Sequence, residues 1–226
     1  MKWYQKITDC ILHCFFPVHC PYCDELMTPN LVACEQCQKE IQAVNIFNET
    51  DNIRCISPFY YDGIYKRAVL DLKFKNRSDY AKILSHSMAE ALKQYFDFSE
   101  FDCITCIPPS KNSYRKRGYN QAELLAKGLS LYTEIPFERL LVKIKDTKVQ
   151  HTISDAQKRK QNVKDAFAVI RQHSDKIQNK TILLVDDILT TGATLGECCK
   201  ELYKNKAKSV IGITYTFVEN KEKVIL

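Results

Sequence analysis

Ile182-Leu-Leu-Val-Asp-Asp-Ile-Leu-Thr-Thr-Gly-Ala-Thr-Leu195 decides how the rest of the chain is read. Its opening residues, with Thr181, are all apolar or β-branched, which predicts a strand over 181–185 buried on both faces of a parallel sheet. Asp186 and Asp187 follow at its carboxyl end, the edge where open α/β sheets take their ligands. Thr190-Thr191-Gly192-Ala193-Thr194 then leads into a helix expected over 194–205, with a strand after it over 209–218. Gly192 is one of only six glycines; it can adopt positive φ and lets backbone N–H groups come close to a phosphate. The hydroxyls of Thr190, Thr191 and Thr194 add donors, and the helix N-terminus adds its dipole. Thr194 with Glu197 also fits a capping box that needs no ligand. Two acids beside an anion site suit a ligand carrying hydroxyls between them. Ribose 5-phosphate is such a ligand, its 2′ and 3′ hydroxyls donating to the carboxylates while the loop holds the phosphate. The Gly-Lys-[Ser/Thr] of a Walker loop is absent.

Working outward, strands and helices alternate. A strand is expected over 54–61, with Pro58 marking an edge or a bulge. Helices over 64–74 and 79–96 follow, then a strand over 101–107 closed by Pro108-Pro109. Asn120 reads as the cap of the next helix, with Glu123 reaching back and Ala122, Leu125, Leu129 and Tyr132 as its inner face. A strand over 140–145, a short basic helix near 155–163 and a strand over Phe167–Ile170 complete the count. This order predicts an α/β fold, a parallel sheet flanked by helices. The polar residues 45–52 read as a linker, dividing the chain into a segment 1–50 and a domain 51–226.

The chain has 226 residues and a net charge of +6, with 45% hydrophobic and 27% charged residues. Those values exclude collagen-like, coiled-coil and largely disordered chains. No apolar run approaches the ~18 residues of a membrane span, so no membrane insertion is expected. Asp9, His13 and Cys14 interrupt the apolar cluster of Met1 to Phe16, and no small-residue cleavage site follows, so a cytoplasmic protein is expected.

Of eleven cysteines, six (Cys10, Cys14, Cys20, Cys23, Cys34, Cys37) fall in the first 37 residues. The odd count and uneven placement argue against a disulfide scaffold. Cys20-Pro-Tyr-Cys23 and Cys34-Glu-Gln-Cys37 are two C-x2-C knuckles, the spacing that aims four thiolates at one tetrahedral, structural zinc. A redox dithiol is the alternative. His13, His19, Cys10 and Cys14 are substitute ligands, although Trp3, Ile7, Ile11 and Cys14 also form one face of a short helix. Cys103 and Cys106 lie three apart on a strand and must point to opposite faces, which makes them core residues. Cys198 and Cys199 share a helical stripe with Leu195 and Leu202.

Val185-Asp-Asp-Ile-Leu-Thr-Thr-Gly-Ala-Thr194 resembles the phosphoribosyl-pyrophosphate (PRPP) motif of type I phosphoribosyltransferases at every position. Together with the two cysteine knuckles, Leu72-Lys-Phe-Lys75, Arg117-Gly-Tyr-Asn-Gln121, and Gln150, Arg159, Asn162 and Phe167, it makes the chain similar to the ComF family of bacterial DNA-uptake proteins. The resemblance spans essentially the whole chain, with Ser110–Lys116 matching less well. It implies a zinc module on a phosphoribosyltransferase fold, a role in natural transformation, and PRPP bound with Mg²⁺. It places Lys73, Phe74 and Lys75 in a pyrophosphate loop that in this fold often carries a cis non-proline peptide. Arg115 to Gln121 becomes a loop closing over pyrophosphate, with Arg117, Asp186 and Asp187 as the catalytic set. Transfer from PRPP would pass through an oxocarbenium-like state that asks the protein for stabilisation rather than a nucleophile.

Residues 108–164 hold thirteen Lys/Arg against five acids. That surface can serve PRPP alone or the backbone of single-stranded DNA, with Arg115, Lys116 and Arg117 on phosphates and Tyr114 and Tyr119 stacking bases. Three readings stay open: an enzyme transferring phosphoribose to an unidentified acceptor, a non-catalytic protein handling DNA or sensing nucleotides alongside DNA-uptake proteins, and a nucleobase salvage enzyme. Salvage enzymes of this fold generally lack a zinc module.

Overall fold

The computed structural model describes residues 17–28, 31–50, 53–145, 161 and 163–219. The chain enters through α1 (Glu35–Glu40), β1 (Ile46–Thr50), β2 (Ile53–Ser57) and β3 (Phe59–Tyr60). Helices α2 (Gly63–Phe74) and α3 (Tyr80–Lys93) lead to β4 (Cys103–Cys106), followed by α4 (Lys111–Arg117) and α5 (Gln121–Thr133). Then come β5 (Leu141–Lys143), β6 (Phe167–Val169), β7 (Thr181–Leu189), α6 (Ala193–Lys204) and β8 (Ser209–Phe217).

The main sheet has the order β1-β2-β8-β7-β4, with β3 pairing β8 beyond the break at Pro58. β2, β3, β4, β7 and β8 pair in parallel, and only β1 runs antiparallel, against β2. Of the residues expected to be a linker, Ile46–Thr50 are therefore a strand of the sheet. Their polar letters conceal it because an edge strand needs one covered face, and Phe47 supplies that cover by stacking on Tyr95 at 5.4 Å.

Alternation along the strands sorts the core into two halves. Leu183, Val185, Ile211 and Ile213 face a cluster built by α2, α3, α5 and the cysteine knuckles, with Tyr22 and Cys20 inside it. Ile182, Leu184 and Val210 face α6 and the β5–β6 ribbon. Cys106 belongs to the first cluster and Cys103 to the second, as a three-residue separation on a strand requires. Cys198 and Cys199 are buried on α6 in that second cluster.

Three local expectations fail. Asn120 makes no capping bond; its Nδ2 instead donates to Ile107 O at 3.1 Å, and Glu123 pairs with Lys127 and Arg139. Tyr132 is 38% exposed, and Ala126 and Thr133 complete the inner face of α5. Thr194 and Glu197 form no capping box, because the helix starts at Ala193 with Gly192 as its N-cap, and the Glu197 carboxylate accepts the Asp165 N–H at 2.9 Å. Trp3, Cys10, His13, Cys14, His151 and most of the expected basic helix lie outside the described residues. No described helix is long and apolar enough to cross a membrane.

Candidate functional site

β7 runs four residues past its expected end, so Asp186 and Asp187 are inside the strand, with Asp186 in register with Thr214 of β8. Neighbours on a strand point to opposite faces. Asp187, only 8% exposed, meets Lys73 from the last turn of α2, Nζ to Oδ1 at 2.8 Å. Asp186 accepts the Asp187 N–H at 2.9 Å. Burial, reinforced by the Asp187 charge and opposed by Lys73, pushes the Asp186 carboxyl up to about 7.

Beyond Leu189 the chain turns through Gly192, which is the residue preceding α6 and has φ +72°. That conformation disfavours a side chain, and a Cβ there would meet Ile53 Cδ1 at 2.9 Å. Thr190, Gly192, Ala193 and Thr194 form one wall of a cavity of about 490 Å³. Asp186, Asp187, Lys73, Phe74 and Arg117 line it as well. A cavity of this size, with a helix N-terminus at one end and carboxylates and cations converging on it, can hold a phosphorylated sugar.

Several expected residues lie elsewhere. Thr191 is not in the lining; its hydroxyl accepts the Ala193 N–H at 3.4 Å. Lys75 turns away to the buried Asp71, 3.0 Å from Nζ to Oδ1. Lys73 and Phe74 belong to the end of a helix rather than to a loop, and no described peptide bond is cis. Arg115 and Lys116 are exposed on α4, outside the cavity lining. Tyr119 donates its hydroxyl to Leu72 O at 2.6 Å, which ties it to α2. Tyr61, in the bend after β3, Leu70 of α2 and Thr214 of β8 line the cavity without any local sequence signal, since each is an ordinary apolar or hydroxylated residue.

The second candidate site is the cysteine cluster. The sulfurs of Cys20, Cys23, Cys34 and Cys37 all lie within 4.8 Å of one another. A tetrahedral ion with metal–sulfur bonds of ~2.3 Å spaces its thiolates by about 3.8 Å, so a contraction of no more than about 1 Å would let the four hold zinc. The Cys34 N–H donates to Cys20 Sγ and the Cys37 N–H to Cys34 Sγ, both at 3.5 Å. The latter bond brings the Cys34 thiol down to about 7, while burial pushes Cys37 up. His19 is occupied by Asp24 O at 2.7 Å and is not in the cluster. The knuckles are anchored to the core: Tyr215 O–H donates to the Tyr22 hydroxyl at 3.1 Å, and Arg77 Nη1 reaches Asp24 Oδ1 at 2.7 Å.

Residues 89–225 match the family model described as "Phosphoribosyl transferase domain", a span that contains β7, the glycine turn and α6. The "DNA utilization protein YhgH" of Escherichia coli K12 is 29% identical over 196 residues, covering 84% of this chain and 80% of that protein. The "Competence protein F" of Haemophilus influenzae is 40% identical over 90 residues, 39% of this chain and 38% of that one. The "Competence protein ComFC" of Bacillus subtilis is 25% identical across 86% of this chain and 76% of its own length. The chain belongs to the phosphoribosyl transferase domain family and, within it, to the ComF family.

Proposed function

We propose that the chain binds a 5-phosphoribosyl ligand, PRPP in its full form, at the carboxyl ends of β7 and β8, and that it acts in DNA uptake or use. The observation that carries this reading is one cavity holding both the Gly192 turn at the start of α6 and the paired acids Asp186 and Asp187. The turn and helix N-terminus receive the 5′-phosphate, and the carboxylates accept the ribose hydroxyls. Lys73 must leave Asp187 for a hydroxyl to take its place, and it is then free, with Arg117, to meet the pyrophosphate. Phosphoribosyl transfer to an acceptor would need these groups to stabilise a cationic ribose and a departing anion, with no nucleophile from the protein. Mg²⁺ arriving with PRPP would neutralise part of the pyrophosphate charge. The role in DNA handling is supported by the names carried by the relatives, a DNA utilization protein and two competence proteins. Zinc on Cys20, Cys23, Cys34 and Cys37 is assigned a structural part, because four thiolates leave no open coordination position.

A ligand at ~100 times its Kd stabilises the native state by about 2.7 kcal/mol. For a chain of this size PRPP with Mg²⁺ should raise Tm by roughly 5–10 °C. Replacing Asp186 and Asp187 together with Asn should abolish the shift, and an undiminished shift would move the ribose site elsewhere. A second reading rests on α4, where Arg115 and Lys116 are exposed beside Tyr114, itself 51% exposed. If this helix contacts single-stranded DNA, affinity must fall steeply with salt, and Arg115→Gln/Lys116→Gln must flatten the slope.

A further inference from the structure

Every residue of Arg117-Gly-Tyr-Asn-Gln121 has a structural assignment. Gly118 ends α4 at φ +77°, its N–H bonded to Tyr114 O at 2.8 Å. Tyr119 is tied to Leu72 of α2 and Asn120 to Ile107, just beyond β4. Gln121 Oε1 accepts from Arg117 Nη1 at 2.9 Å. That bond holds the guanidinium 5.1 Å from the centre of the Phe74 ring, where both residues line the cavity. The segment thus staples α2, β4 and α5 together around one arginine.

Gln121 is only 3% exposed, and its Nε2 is buried with no hydrogen-bond partner among the described residues. An orphaned buried amide donor is unfavourable and calls for an explanation. Glutamate at this position would accept the same bond from Arg117, leave no orphaned N–H and add an ion pair. What glutamate would remove is the net charge of Arg117 at the cavity.

We propose that Gln121 is the positioning residue for Arg117: a neutral acceptor that fixes the guanidinium against Phe74 while keeping its charge for the anionic, pyrophosphate-like part of the ligand. The inference rests on the phosphoribosyl reading of the cavity and deepens it by naming how the chain keeps one cation oriented yet unneutralised. A Gln121 that did not position Arg117 could be replaced by the neutral, similarly sized Met without consequence for anions.

The test uses the full chain and isothermal titration with inorganic pyrophosphate and with PRPP. Gln121→Glu should keep the wild-type melting temperature or exceed it, yet bind pyrophosphate about tenfold more weakly, the size of one charge-assisted contact. Gln121→Met, neutral but without an acceptor, should also lose affinity, by releasing the guanidinium. Wild-type pyrophosphate affinity in either folded variant overturns the proposal. The rate of Arg117 labelling by phenylglyoxal, followed by mass spectrometry without ligand, separates this from the wider reading. Labelling should be severalfold faster in Gln121→Met and slower in Gln121→Glu than in the wild type. Equal rates in all three proteins overturn the positioning role. A wild type that binds neither pyrophosphate nor PRPP overturns the phosphoribosyl reading and the ligand half of the proposal, whatever the labelling shows.

Discussion

Breaking the Lys73–Asp187 pair should cost the ligand-free protein more than removing both charges. At 2.8 Å and an effective dielectric of ~20, the gross attraction between the two charges is about 6 kcal/mol. Desolvation of both groups offsets much of that, and buried pairs that lose one partner typically destabilise by about 3–5 kcal/mol. Here the side chains keep 17% and 11% of their surface and face a cavity that water can enter, which places the expected loss for Lys73→Met at about 2–3 kcal/mol. Asp187→Asn in the same chain removes the abandoned carboxylate, so the double variant should recover at least ~1 kcal/mol of that loss. Urea denaturation at pH 7.5 and constant m reads both quantities, and the single variant's Tm should fall by roughly 4–10 °C. Strict additivity of the two single changes, or a Lys73→Met variant within ~0.5 kcal/mol of wild type, would refute the claim that this ammonium compensates a buried carboxylate.

Asp186 supplies a pH signature. Its folded-state carboxyl, moved from an ordinary 3.8 to about 7, holds a proton more tightly than in the unfolded chain. Stability should therefore decline as pH rises from ~4 to ~7, by no more than ~4 kcal/mol, and level off above. Asp186→Asn should remove that slope, giving its largest gain over wild type above pH 7. Elemental analysis should find about one zinc per chain, and Cys34→Ser should lower both zinc content and Tm; folded, reduced protein without metal would contradict the assignment. A Cβ at Gly128 would lie 2.1 Å from Ser85 Oγ and 2.8 Å from Ser85 Cβ, so Gly128→Ala should force α5 away from α3 at a cost of about 1–3 kcal/mol. Ser85→Gly in the same chain should restore most of the loss, as thermal melts can show.

The sheet was legible wherever one residue type ran long enough to declare a period. Thr181–Val185 and Ser209–Phe217 are near-continuous apolar or β-branched runs, which is what strands buried on both faces require. β1 was not legible, because an edge strand covered on one side can carry Asn48 and Glu49 and resemble a linker. Asn120 and Thr194 fit capping rules, but Asn120 found the Ile107 carbonyl, and Thr194 fell inside a helix capped at Gly192 while Glu197 found the Asp165 N–H. Such bonds join residues far apart in the chain, so no local rule contains them.

The amino-acid sequence by itself determined the chemistry available: four thiolates at knuckle spacing, two acids at a strand end, and a glycine able to turn the chain into a helix. Each follows from covalent spacing and backbone sterics, which act over a few residues. Only the tertiary structure decided which of the candidate cations reach the acids. Lys73 faces Asp187 while Lys75, two residues on, faces Asp71, because the end of α2 rotates successive side chains by about 100°. Likewise the fold turned Tyr119 from a free aromatic into a strut on α2 and aimed Arg117 into the cavity. Those outcomes depend on how helices pack across the sheet, and that geometry exists only once the apolar faces have been buried together.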